Sequence, residues 1–144
     1  NLPAAEWMQT LPGGLRGTMI PRLWAELGDA PGRWASWSHL QAQAGTVPLT
    51  RQSGKSRVVR FRVACNKHLR QAIWQLAFQS LRHSAWAKHY YHQSRARGHG
   101  HNQALRALGA KWLKIIFCMW QQQVPYDETY HLANMTRQYL RATA

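Results

Sequence analysis

The sequence predicts a mostly α-helical domain, with a helix-hairpin-helix-like N-terminal part and one small β-hairpin, on three observations. Apolar residues recur at three- and four-residue spacing through most of the 144 residues, the mark of helices with a buried face. Only 46–63 breaks that period, with β-branched residues and alternation of Val59, Phe61 and Val63 with Arg60 and Arg62. The 45% hydrophobic content is ample for one packed core at this length, so 1–144 reads as a single folded domain rather than a disordered basic tail. Eight Trp point to heavy aromatic packing in that core.

Taken in order, Leu11-Pro-Gly-Gly-Leu-Arg-Gly17 is a turn cluster resembling the hairpin between two helices, whose backbone N–H groups suit a phosphate. Thr18 caps a helix over 19–27, where Pro21 fits the first turn, and Gly28 stops it. A second helix is expected over 37–44, between Ser36 as cap and Gly45 as stop. Strands are expected over 46–51 and 57–63, joined by a turn at 52–56, with Arg60 and Arg62 projecting opposite the apolar face. From Ala64 to His83 the helical circumference is mostly apolar, with Leu69, Ala72, Ile73, Leu76, Ala77 and Leu81 as core candidates. Lys67, Gln71, Gln75 and Gln79 leave only a narrow polar stripe, so this helix is central. Ser84 caps a helix that runs through Trp86, Tyr90 and Tyr91 and stops at Gly98. After a polar link, Leu105, Leu108, Trp112, Ile115 and Met119 form the seam of a long helix that Pro125 ends. Asp127 caps a last helix to about Arg141, and 129–144 is expected to be a peripheral arm suited to self-association.

Charge points to a partner. The formal net charge is +14 and the pI about 11.1. Residues 51–70 hold seven of the 19 Lys and Arg, namely Arg51, Lys55, Arg57, Arg60, Arg62, Lys67 and Arg70, and none of the five acids. Such density repels itself unless a polyanion balances it, and nucleic acid is the commonest one. Ser53 lies amid these cations. It reads either as an ordinary Ser-Gly turn residue or as a nucleophile toward phosphorus, with Arg51, Lys55 and Arg57 neutralising the developing charge. No general base is evident, and Ser56 is a rival.

Other chemistries are disfavoured. A two-metal nuclease needs converging acids, yet the only carboxylates are Glu6, Glu26, Asp29, Asp127 and Glu128, and Asp29 and Asp127 fit helix ends. His89, His92, His99 and His101 lack zinc-ligand spacing, so no metal site is expected. Tyr90 and Tyr91, one turn from Trp86, read as packing residues rather than recombinase nucleophiles. Cys65 and Cys118 read as reduced, buried thiols of a cytoplasmic protein. No segment approaches the roughly 20 apolar residues of a membrane span, and no leader peptide is recognisable. The start at Asn1 without Met suggests that residues precede it in a longer protein.

The segments Thr10-Leu-Pro-Gly13, Ala25-Glu-Leu-Gly-Asp29, Ala44-Gly-Thr-Val-Pro48, Gln52-Ser-Gly-Lys55 and Ala64-Cys-Asn-Lys-His-Leu-Arg70 resemble, in order and spacing, the C-terminal domain of insertion sequence 110 transposases. The likeness continues through Trp86-Ala-Lys-His-Tyr-Tyr91, Arg95-Ala-Arg-Gly98, Ala104-Leu-Arg-Ala-Leu108, Lys111-Trp112 and Pro125-Tyr-Asp-Glu128, covering about 9–128. This resemblance implies a prokaryotic, nucleoid-associated DNA recombinase whose C-terminal serine falls on Ser53. It implies an N-terminal RuvC-like domain, outside these residues, with four carboxylates and Mg2+, while this domain itself carries no cofactor. It further implies DNA and a structured bridge RNA as partners, within a homo-oligomeric assembly. The family's Pro-Gly-x-Gly hairpin reads Pro12-Gly-Gly-Leu15 here, which weighs against phosphate binding by that turn. A non-catalytic basic DNA- or RNA-binding module, or a decayed transposon remnant, accounts for the composition equally well.

Overall fold

The computed structural model describes residues 10–11, 19–28, 34–46, 48–53, 56–61 and 66–143. Among them, six helices and two strands follow in the order α1 (Met19–Leu27), α2 (Trp37–Gln43), β1 (Pro48–Ser53), β2 (Ser56–Phe61), α3 (Lys67–His83), α4 (Ala85–Ala96), α5 (His101–Gln122) and α6 (Glu128–Thr143). The fold is mostly helical. The Pro12–Gly17 turn and the Thr18 cap lie outside the described residues.

Local signals set most helix ends. Gly28 takes a φ of 77°, which favours glycine, and its N–H closes α1 on the Trp24 carbonyl at 2.8 Å. The Trp34 indole adds a bond to the Leu27 carbonyl at 3.1 Å. Ser36 caps α2 by accepting from the His39 amide at 3.1 Å, and Ser84 caps α4 by accepting from the Ala87 amide. α3 starts at Lys67 rather than Ala64, because the Asn66 side chain accepts from the His68 and Leu69 amides, both at 3.1 Å. α5 stops at Gln122, before Pro125 rather than at it. Val124, preceding proline, is disfavoured in helix, and Gln123 turns left-handed with a φ of 54°.

The core lies where α3 and α5 pack together, with α1 and α4 against α3 and α2 against α5. Leu69, Ala72, Ile73, Leu76 and Ala77 are buried as the apolar stripe predicts, whereas Leu81 and Ile115 are only partly buried. The seam of α5 includes Leu113, Ile116 and Trp120 beside Leu105, Leu108, Trp112 and Met119. Trp112 is fully buried and donates its indole N–H to Ser80 Oγ at 3.0 Å. Aromatic packing is less complete than the composition suggests. Trp34, Trp86, Trp112 and Trp120 are buried, but Trp24, Trp37 and Trp74 remain 37–40% exposed.

α6 packs on α4 and leaves Tyr130 and Leu140 exposed. Asp127 Oδ1 caps it by accepting from the Tyr130 amide at 3.2 Å. Glu128 clamps the start of α4: its carboxylate accepts from Ser84 Oγ at 2.8 Å, the Ala85 amide at 2.9 Å and the Tyr126 hydroxyl. A negative charge at a helix N-terminus is favourable there. Cys118 is partly buried rather than sealed in the core, while Cys65 lies outside the described residues. Among the described residues, no helix is long and apolar enough to cross a membrane.

Candidate nucleic-acid interface

The strands pair antiparallel, Pro48 opposite Phe61, Leu49 opposite Arg60, Thr50 opposite Val59, Arg51 opposite Val58, Gln52 opposite Arg57 and Ser53 opposite Ser56. Pairing therefore continues to Ser53 and Ser56, past the expected turn at 52–56, and β1 begins at Pro48 rather than Thr46. Only Gly54 and Lys55 join the strands, the shortest common hairpin connection, and both lie outside the described residues. Directly opposed residues share a face and successive residues alternate. Leu49, Arg51 and Ser53 thus share one face with Ser56, Val58 and Arg60, while Arg57 shares the other with Gln52, Val59 and Phe61. The register groups Arg51 and Arg60 with Ser53 and separates Arg57 from it. Arg62 lies outside the described residues. A six-residue strand spans about 17–20 Å, so Ser53 marks the end of β1 away from Pro48.

The chain on either side of the hairpin is anchored to the helical body. The Asn66 amide donates to the Gln43 carbonyl at 2.7 Å, and Asn66 Nδ2 donates to Glu26 at 2.9 Å. Thr46 gives both its amide and its hydroxyl to the Gln41 carbonyl, each at 3.1 Å. Beside this anchor, between α3 and α5, opens a cavity of about 660 Å³ lined by Thr46, Lys67, Arg70, Gln71, Trp74 and Arg106 among others, with no acid among the described residues of its lining. Lys67 and Arg70 are exposed and Arg106 is half-buried. Burial first, and then the charge of Arg70, hold the Arg106 guanidinium below the ordinary arginine range. Two helices thus bring the like charges of Arg70 and Arg106 to one cavity.

Of these lining cations, sequence reasoning singled out Lys67 and Arg70 but not Arg106, which sits between seam residues of α5 with no local pattern to single it out. It also missed Trp74. The available signal was a large aromatic three residues after Gln71, at the edge of the polar stripe.

The described acids do not fit a Mg2+ site. Glu26 accepts from Asn66, Asp127 caps α6 and Glu128 clamps α4, while Glu6 and Asp29 lie outside the described residues. Among the described residues, no three His, Cys, Asp or Glu gather where a metal ion could be held. The tyrosines behave as packing residues. Burial pushes the Tyr90 hydroxyl up despite the charge of Arg97, and the Tyr91 hydroxyl is hydrogen-bonded with His101 Nδ1 at 2.7 Å.

Comparison with known proteins covers this same region. The family model for the IS116/IS110/IS902 transposase family matches residues 5–92, more than half of the chain and all of the hairpin. A Streptomyces coelicolor protein named for the transposase of the IS117 mini-circle is 32% identical over 115 residues, covering 80% of this chain and 28% of that protein. A second protein of the same organism, an uncharacterized 43.6 kDa protein of insertion element IS110, is 28% identical over 127 residues, covering 87% of this chain and 31% of that one. The chain spans less than a third of the length of these curated relatives. A family model over more than half of the chain, and a relative above 30% identity across four fifths of it, establish that the chain belongs to the IS116/IS110/IS902 transposase family.

Proposed function

We propose that this chain is the C-terminal, nucleic-acid-binding domain of a transposase and that Ser53 is its nucleophile toward a DNA phosphodiester. The observation that carries the reading is the hairpin register, with Ser53 on one face with Arg51 and Arg60 inside the stretch that matches the transposase family. In the proposed step the serine oxygen bonds to phosphorus, its proton passes to a base, and the displaced sugar oxygen leaves. Arg51 and Arg60 neutralise the charge that develops on the phosphoryl oxygens. Lys55, Arg57 and Arg62 hold the backbone, and Lys67, Arg70 and Arg106 bind phosphate beside the hairpin anchor. Phosphate contacts carry no sequence information, so a structured bridge RNA selects the target by base pairing. A RuvC-like domain supplies the carboxylates and Mg2+, and active assemblies are homo-oligomeric.

The test uses a full-length transposase containing this chain. Ser53→Ala is expected to abolish strand exchange with binding retained, Ser56→Ala to remain active, and denatured wild-type reactions to contain a protein–DNA adduct on the peptide holding Ser53. Arg51→Ala is expected to slow adduct formation more than Arg57→Ala does. An active Ser53→Ala enzyme, or an adduct on Ser56, Tyr90 or Tyr91, would leave Ser53 a turn residue and the chain a non-catalytic binding module.

A further inference from the structure

We infer that Trp74 and Phe78 form a stacking platform for an unpaired base of single-stranded DNA, whose backbone phosphates enter the adjoining Lys67, Arg70 and Arg106 cavity. The inference rests on the nucleic-acid reading above but not on Ser53. Trp74 lines the cavity, and Phe78, one helical turn on, stacks against it with ring centroids 5.6 Å apart and planes within 1° of parallel. Each residue is 40% exposed. An isolated exposed aromatic needs no explanation, but two stacked in parallel beside three cations are a different arrangement. The pair is also held in place. His101 meets the Phe78 ring edge-on at 6.4 Å and is itself hydrogen-bonded with the Tyr91 hydroxyl. A third flat ring can extend this stack without reorganising it.

Along α3 the order Lys67, Arg70, Trp74, Phe78 follows one face of the helix at three- and four-residue spacing, so cations and rings line up as phosphate and base do along a strand. Duplex DNA has its base faces already stacked and cannot offer them, which selects an unpaired segment. The lining mixes apolar Ile73 and Leu105 with polar Gln71, Asn102 and Thr46, and DNA is the committed occupant because the proposed reaction acts on a DNA phosphodiester.

Anisotropy titrations of this chain at fixed low salt decide the matter, with labelled strands of about 15 nucleotides: oligo-dT, an abasic strand with the same phosphates, oligo-U, and a matched duplex. Oligo-dT is expected to bind roughly tenfold more tightly than the abasic strand, and Trp74→Ala or Phe78→Ala to remove roughly that factor while duplex affinity holds. Trp74→Phe is expected to keep most of the affinity, and Arg106→Gln to weaken oligo-dT and the abasic strand alike. Thermal melts alongside show that these variants fold. Equal affinity for oligo-dT and the abasic strand, or unchanged oligo-dT affinity in Trp74→Ala, overturns the platform while leaving duplex binding intact. Tighter binding of oligo-U than oligo-dT overturns DNA as its occupant. Failure to bind any of the four probes overturns the nucleic-acid reading beneath it as well.

Discussion

Trp112→Ala is expected to be among the most destabilising single changes in this chain. The indole is fully buried, its ring centroid 4.7 Å from that of Trp86 and 5.3 Å from that of Tyr126, so its removal opens a cavity between α3, α4 and α5. Truncating a buried tryptophan costs about 3–5 kcal/mol. The hydrogen bond adds little, because Ser80 Oγ keeps its own donation to the Ala77 carbonyl at 2.7 Å and loses only an acceptor role, worth about 1 kcal/mol or less. With an unfolding entropy of about 2.1 cal/mol/K per residue over 144 residues, such a loss lowers Tm by about 10–17 °C. Trp112→Phe keeps most of the ring contact and is expected to cost about 1–2 kcal/mol. Thermal unfolding by circular dichroism measures both, with nucleic-acid binding followed in parallel. An unchanged Tm in Trp112→Ala combined with weakened binding would refute the core assignment and make Trp112 a base-stacking residue.

Binding to nucleic acid is expected to weaken steeply between low and physiological salt, since neutralising phosphates releases counterions, and anisotropy across a salt series that stays flat would remove the polyanion argument. This chain alone is expected neither to nick nor to join supercoiled plasmid with magnesium present. Nicking that depends on Asp127 or Glu128 would show that the acids were wrongly placed. The His131 imidazole, stacked on Tyr126 at 5.3 Å, is held below the ordinary histidine range chiefly by burial, against the opposing pull of Glu128 and Asp127. A depressed folded pKa gives stability that is present above about pH 6.5 and lost as pH falls, because the unfolded chain takes up the proton first. His131→Phe, which keeps the stacking, is therefore expected to flatten the decline in Tm below about pH 6.5, and identical slopes in the two proteins would contradict it.

What the sequence determined by itself is what short-range chemistry controls. Ser36, Ser84 and Asp127 cap helices because a side-chain oxygen reaches amides two or three residues on, and Gly28 and Gly98 end them because glycine adopts positive φ freely. Apolar spacing alone placed Trp112 and Leu108 in the core. Family membership was likewise legible, in the order of short motifs. The tertiary structure decided what depends on segments distant along the chain. Whether Arg57 shares a face with Ser53 follows from strand register, and a slip of one residue would reverse the answer. Glu128 reaches back to Ser84, Asn66 to Gln43, and Arg106 approaches Arg70 across two helices. The exposure of Trp74 was less legible, since it sits at the edge of the polar stripe and only the neighbouring helices show which side of α3 they cover. Such pairings carry no local pattern, because they are set by how whole helix faces pack.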